Sequence, residues 1–263
     1  IRESRADEMP VLDAIVRNAA HLCGADLVGL SLVNDARTKL LFDNVYGTGQ
    51  SVVMAVLDAT NMQMQGKVVV VVGYGKVGKG IASAARALGA RVTVCEIDPV
   101  EALVAHHDGY AVAPLLEAAA GADMAITASG IGHSMVAEHV AALPDGAVIA
   151  VGGAGPPEFD PSITLDGSAS DLVWGEEVRA DIRELIVPNG PTVFVVSQGY
   201  CANTSAGEGN PIEVMDLSLA LQLRALDHLA ATDLEPGVYL LPKAIDDEVA
   251  AACGQARLAI AHR

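Results

Sequence analysis

Five consecutive valines, Val68–Val72, run without interruption into Gly73-Tyr74-Gly75-Lys76-Val77-Gly78. A β-branched run with no polar alternate position has no face for solvent. It reads, from Lys67 on, as a strand buried on both sides, the centre of a parallel sheet covered by helices above and below. The glycines that follow have separate physical reasons. Gly73 permits a tight turn, Gly75 lets the backbone approach a pyrophosphate, and Gly78 allows close contact between helix and strand. A helix is predicted over 78–88, stopped by Gly89, and a second strand over 91–96. The amides of the helix N-terminus would receive the diphosphate. Glu96 closes the second strand, where its carboxylate would accept hydrogen bonds from ribose hydroxyls and repel a 2'-phosphate. The predicted cofactor is therefore NAD rather than NADP. The rival readings are a flavin or other nucleotide domain, or a site kept only for structure.

The same alternation continues on either side. Helices are predicted over 6–20, 50–60, 99–108, 115–120, 134–142, 211–230 and 246–261. Strands are predicted over 26–33, 111–113, 124–128, 147–151, 182–187, 192–196 and 238–241, with 182–187 and 192–196 flanking a turn at Asn189-Gly190. A Gly/Pro-rich loop spans 152–161 and a polar loop 199–211. Short connections between alternating elements imply an α/β fold, a Rossmann-type doubly wound parallel sheet. Hydrophobic residues make up 51% of the chain but aromatics only 3%. The core must then be built from a Val-rich sheet under Ala-rich helices.

A formal charge of -17 disfavours nucleic acid and anionic membranes as partners. It does not exclude a phosphorylated ligand bound by helix-end amides. No stretch is long and apolar enough to span a bilayer and no secretory leader is recognisable, so a cytoplasmic protein is expected. Cys23, Cys95, Cys201 and Cys253 lie far apart, without metal or disulfide spacing. No histidine pair has HExxH spacing. His106 and His107 read as surface residues and His139 as a helix-face residue. His133 falls beyond Gly130-Ile131-Gly132, near the expected nicotinamide end. Trp174 reads equally as pocket wall or core.

Beyond the fingerprint, several segments carry a more specific likeness. VNDARTKLLFDNVYG, GKVVVVVGYGKVGKG, ARVTVCEIDPVEAL, GNPIEVMDLSLALQ and GVYLLPKAIDDEVA, in this order, resemble the S-adenosyl-L-homocysteine hydrolase (adenosylhomocysteinase) family. The resemblance implies catalytic roles for Lys39, Asp43 and Asn44. It implies cofactor contacts for Gly73, Gly75, Lys76, Val77, Gly78, Glu96, Ile97, Glu101, Thr127, Ser129, Gly130 and Asn203, the last at the carboxamide. Lys39 and Asp43 are four apart, so one helical turn would put them on one face; without the likeness they read equally as a plain salt bridge. No metal is implied.

The implied substrate is an adenine nucleoside or thioether nucleoside. Its 3'-hydroxyl would be oxidised transiently by bound NAD, followed by elimination at the 5' side. That is S-adenosylhomocysteine hydrolysis or a nucleoside dehydration. Two alternatives stand beside it: a net NAD-dependent nucleoside dehydrogenase, and a non-catalytic NAD-binding regulatory protein. A homodimer or homotetramer is also implied.

Departures accompany the matches. The family histidine in the loop after the fourth cofactor strand falls at Pro156, and a second histidine falls at Asn210. Thr48 stands for a cysteine, Lys76 for an aspartate and Glu101 for an asparagine. Neither Pro nor Asn can take over acid–base work near neutrality, which places ordinary hydrolysis in question. Only twenty residues separate Leu12 from Val33, where the family has a long substrate domain. That domain is expected to be reduced or missing from this sequence, as is the family's C-terminal tail. The expected segmentation is 1–45 (substrate-domain remnant and active-site segment), 46–209 (NAD-binding domain) and 210–263 (hinge helix and C-terminal return).

Overall fold

The computed structural model describes residues 30–31, 37–153, 157–234 and 238–261. The helix expected over 6–20, most of the strand expected over 26–33, Cys23 and the histidine slot at Pro156 lie outside the described residues. The chain divides into two compact units: Phe42–Val214, and a second drawn from Ile1–Leu41 and Met215–Arg263.

Phe42–Val214 is built on an eight-stranded sheet. Its strands are β2 (Val68–Val72), β3 (Arg91–Cys95), β4 (Ala111–Val112), β5 (Met124–Thr127), β6 (Val148–Val151), β7 (Val173–Arg179), β8 (Ile182–Ile186) and β9 (Thr192–Val196). The spatial order is β4-β3-β2-β5-β6-β9-β8-β7. The six strands from β4 to β9 are parallel, and β8 runs antiparallel to both its neighbours. The order reverses between β2 and β5, which opens the crevice where open α/β sheets bind ligands. Register brings the rim into line: Val72 pairs with both Cys95 and Thr127, Thr127 with Val151, and Val151 bridges to Cys201. Gly73, Glu96, Ala128 and Gly152 are therefore next-door residues on one edge, although up to 79 positions separate them in the chain.

The valine run is buried on both faces as its composition requires. Val69 and Val71 enter one core cluster, Val70 and Val72 the other. On the first face α1 (Gly49–Thr60) packs against α2 (Lys76–Ala87). A Cβ on Gly49 would come 2.4 Å from Gly80 backbone, and one on Gly80 would come 2.3 Å from the Val45 carbonyl. The other face carries α4 (Leu115–Ala119) and α5 (Ala137–Ala141). On the first face too, α3 (Pro99–His107) buries Ala105; it starts on Asp98, whose carboxylate accepts from the Val100 and Glu101 amides.

Three departures from the sequence reading have local causes. Strand β7 was not foreseen: its segment VWGEEVR is mostly exposed, and register shifts at Trp174, Glu177 and Arg179 break the period of two. The helix expected over 134–142 is confined to Ala137–Ala141, because residues 133–135 pair with the loop 157–160. The polar loop 199–211 contains a one-turn helix, α6 (Ala202–Ser205). Trp174 is half-buried and packs against the second core cluster with the Arg183 guanidinium over its ring.

In the second unit β1 (Leu30–Ser31) pairs in parallel with β10 (Val238–Tyr239). Two long helices, α7 (Ile212–Ala231, which enters this unit at Met215) and α8 (Lys243–Ala261), are joined by an Arg224–Glu248 ion pair at 3.0 Å. No described helix is long and apolar enough to cross a membrane.

Candidate functional site

The turn after β2 fits a dinucleotide on geometric grounds. Gly73 has φ +97°, and a Cβ there would lie 2.7 Å from the Ala128 carbonyl oxygen. A Cβ on Gly78 would meet the Gly73 carbonyl at 2.0 Å, so this glycine lets the first turn of α2 sit on the loop itself. Around Gly75 a Cβ would meet nothing within 4 Å. Gly75 is not small because protein crowds it; it borders open space at the N-terminus of α2, the place for a pyrophosphate. Lys76 is exposed in the first helical turn, and Val77 packs on the core beside it.

Glu96 is fastened by backbone alone. One carboxylate oxygen accepts from the Tyr74 amide at 2.6 Å, the other from Ile97 and Asp98 at 2.7 and 2.8 Å. Three of roughly four acceptor directions are thereby used, and about one remains for a hydroxyl. Tyr74 is itself locked: its hydroxyl donates to Asp108 at 2.8 Å, and burial, with Asp108 adding, raises its phenol. Glu101 is ion-paired to Lys79 at 2.7 Å.

Glu96 and Ile97 open on a cleft of about 610 Å³ that is also lined by Gly73, Gly75, Pro114, Leu115, Ile131 and His133. Cys95 lines it too, but burial pushes its thiol up to about 12, so it stays protonated and unreactive. His139, read as a helix-face residue, is buried at the cleft wall, where its Nδ1 accepts from the Val136 amide at 3.1 Å.

The turn after β5 is organised by a residue that sequence reasoning missed. Glu158 is 1% exposed. Its carboxylate accepts from the Ser129 and Gly130 amides at 2.8 and 2.9 Å, and from the Ser129 hydroxyl at 3.3 Å. A Cβ on Gly153 would fall 1.8 Å from it. The available signal was a carboxylate following Pro157 in the Gly/Pro-rich loop beyond a buried strand. On the same rim Thr127 is fully buried, and its hydroxyl has no hydrogen-bond partner. An orphaned polar atom here matches a group that a ligand completes.

A second polar cluster ends at the rim of β6. Asn210 donates from its amide nitrogen to Asp43 Oδ1 and, at 3.3 Å, to the Thr48 hydroxyl. Its amide oxygen accepts from Ser51 at 3.0 Å and from Asn203 at 3.1 Å. Asn203 also donates to Ser51 Oγ at 3.1 Å and accepts from the Cys201 thiol at 2.9 Å. Burial raises that thiol, with Thr204 and the Asn203 amide opposing, so it remains a donor; it also lies 3.6 Å from the Gly152 carbonyl.

Asp43 and Asn203 are thus brought together, through a residue the sequence flagged only as a lost histidine. Asn203 is 4% exposed with both amide hydrogens spent internally; here it braces the cluster. Asn44 is half-buried beside Asp43. Lys39 lies in the same helical segment, Arg37–Thr48, which is π-helical rather than the α-turn that four-residue spacing suggested. Among the described residues no group of His, Cys, Asp or Glu could hold a metal ion.

A glycine-turned rim, a helix N-terminus facing open space and a carboxylate at the end of the next strand are the build of an NAD-binding Rossmann domain. The family described as S-adenosyl-L-homocysteine hydrolase, NAD binding domain, matches residues 44–209. The chain belongs to this family, and its cofactor is NAD. It is 42% identical to the S-inosyl-L-homocysteine hydrolase of Methanopyrus kandleri, over 89% of this chain and 55% of that protein. It is 42% identical to an adenosylhomocysteinase of Saccharolobus solfataricus, over 84% and 52%. It is 44% identical to that of Thermotoga maritima, over 83% and 54%. The chain spans about half the length of these curated relatives.

Proposed function

We propose that this chain serves an adenosylhomocysteinase-type reaction on a nucleoside carrying a leaving group at C5'. The observation that carries the reading is Asp43, fastened by Asn210 to a cluster that ends at the carboxyl edge of the sheet beside the NAD rim.

When bound, NAD supplies a hydride acceptor for the nucleoside C3' and later returns that hydride. Oxidation makes the 3'-hydroxyl a ketone, which acidifies the hydrogen on C4'. Removing that proton expels the 5' substituent with its bonding electrons. In hydrolysis, water then adds at C5' and a proton returns to C4'.

The chain's residues divide this work. An amide NH2 only donates, so Asn210 holds Asp43 Oδ1 in the acceptor role, the role in which a carboxylate anchors a sugar hydroxyl. Lys39, one turn away in sequence, supplies the positive charge that an enolate needs. Asn44 adds a neutral donor and acceptor at the sugar. Glu96 selects NAD by charge. With Asn210 where an imidazole could have exchanged protons, oxidation and elimination are better supported than the closing hydration. A 5'-hydroxyl leaving as water is therefore the second reading.

The test is mass spectrometry of NAD-loaded protein with S-adenosyl-L-homocysteine, S-inosyl-L-homocysteine or adenosine in deuterated water. Free homocysteine supports the hydrolase, and the 6-amino or 6-oxo substrate that releases it names the base preference. Deuterium at C4' or an unsaturated nucleoside from adenosine supports the dehydration. Accumulated NADH would replace both with a net dehydrogenase. No exchange and no product, with NAD bound, would leave a non-catalytic binder.

A further inference from the structure

His133 was expected near the nicotinamide end, but it lines the same cleft as Glu96 and Ile97, the end that receives the adenosine half. Beyond Glu96 the cleft is walled by Ile97, Val112, Leu115 and Ile131, an apolar slot suited to a planar base. His133 is placed there by an unusually firm frame. Its φ is +58°, a left-handed conformation uncommon outside glycine. Its amide donates to the Pro157 carbonyl at 2.8 Å, the Met135 amide to Glu158 at 2.9 Å, and the Asp160 amide back to Met135 at 2.9 Å. The imidazole Nδ1 lies 3.0 Å from Asp160 Oδ2 while the side chain stays 53% exposed. Burial alone would raise the Asp160 carboxyl; the Ser162 hydroxyl and amide, with His133, hold it below its ordinary value. Asp160 is thus an ionised acceptor that draws the ring proton to Nδ1. No described residue hydrogen-bonds Nε2, which in the neutral imidazole with its proton on Nδ1 is an acceptor.

We propose that His133 reads the adenine of NAD, its Nε2 accepting a hydrogen bond from the 6-amino group while Asp160 fixes the tautomer. The base then enters the slot with its amino edge toward His133. A 6-oxo base presents a carbonyl oxygen there instead, and two acceptors repel. The inference concerns the cofactor site and stands independently of the reaction proposed above.

The test is calorimetric titration of nucleotide-free full chain with NAD and with nicotinamide hypoxanthine dinucleotide, which differ at position 6 of the base. The wild type should prefer NAD by about tenfold, the scale of one hydrogen bond gained against one acceptor opposed. His133→Ala should lose that preference, weakening NAD while no longer opposing the hypoxanthine dinucleotide. His133→Gln, whose amide oxygen can still accept, should recover part of it. Asp160→Asn should shift the preference in the same direction as His133→Ala. Circular dichroism of each variant confirms that the fold is retained. Equal weakening of both dinucleotides by His133→Ala would overturn the proposal and assign His133 to the diphosphate or the fold. So would an unchanged preference. Failure of the wild type to bind either dinucleotide would overturn the cofactor site itself, a result distinct from both.

Discussion

The two ends of the sheet's carboxyl rim are built in different ways. At the β2–β3 end, Gly73, Gly75, Gly78 and Glu96 are contributed by one strand–turn–helix–strand unit. Their contacts are mainly to backbone: a carbonyl that would meet a Cβ, and three amides on one carboxylate. At the β6 end, Asp43, Ser51, Asn203 and Asn210 come from segments as far as 167 positions apart and touch through side chains. The first end tolerates little change because backbone cannot move aside. The second depends on every partner being present, since a buried polar network missing one member leaves others unsatisfied.

The contrast can be broken most severely at Gly78. A Cβ placed 2.0 Å from the Gly73 carbonyl must displace backbone, so Gly78→Ala should cost at least about 3 kcal/mol of stability and abolish NAD binding, read by thermal unfolding and titration. At the other end Asn210→Ala should cost about 2 kcal/mol by removing the partner that Ser51, Asn203 and Asp43 share, with NAD affinity affected far less than by Gly78→Ala. Equal losses of NAD affinity from the two changes would dissolve the distinction.

Glu96→Gln sharpens the first end. A carboxamide places an NH2 against one of the amides that now donate to Glu96. NAD affinity should fall by about tenfold or more, equivalent to about 1.4 kcal/mol, and the margin over NADP should narrow, measured by paired titrations. Gly75→Ala separates fold from ligand within one motif. Its Cβ meets no protein atom within 4 Å, so unfolding should move by less than about 1 kcal/mol while NAD binding weakens.

The smallest effect expected is a pH dependence from His139, at the cleft wall of the first end. Burial lowers its imidazole, with Glu138 opposing. The unfolded chain therefore binds the extra proton first as pH falls. Stability should drop through the ordinary imidazole range and be fully present above it. His139→Gln, which retains an acceptor for the Val136 amide, should flatten that part of the curve of unfolding temperature against pH.

The valine run announced a two-sided strand because no polar residue interrupts it. The glycine turn and Glu96 were legible because each lies within a single βαβ unit; strands β5, β6 and β9 showed as short apolar runs, and β8 through the Asn189-Gly190 turn that follows it. Strand β7 was not legible, since bulged and half-exposed residues carry no period of two. Lys39, Asp43 and Asn44 could be named only through family likeness; composition alone left a plain salt bridge equally open.

By itself, then, the sequence determined the class of fold, the cofactor and the glycine turn after β2, because those follow from local periodicity and from backbone freedom at a few glycines. Tertiary structure alone decided that Glu158 fastens the turn after β5 and that Asn210 joins Asp43 to Asn203. It alone decided that His133 shares a cleft with Glu96. Each of these is a side-chain contact across long sequence separation. It is selected by how strands align in register, which no local pattern encodes.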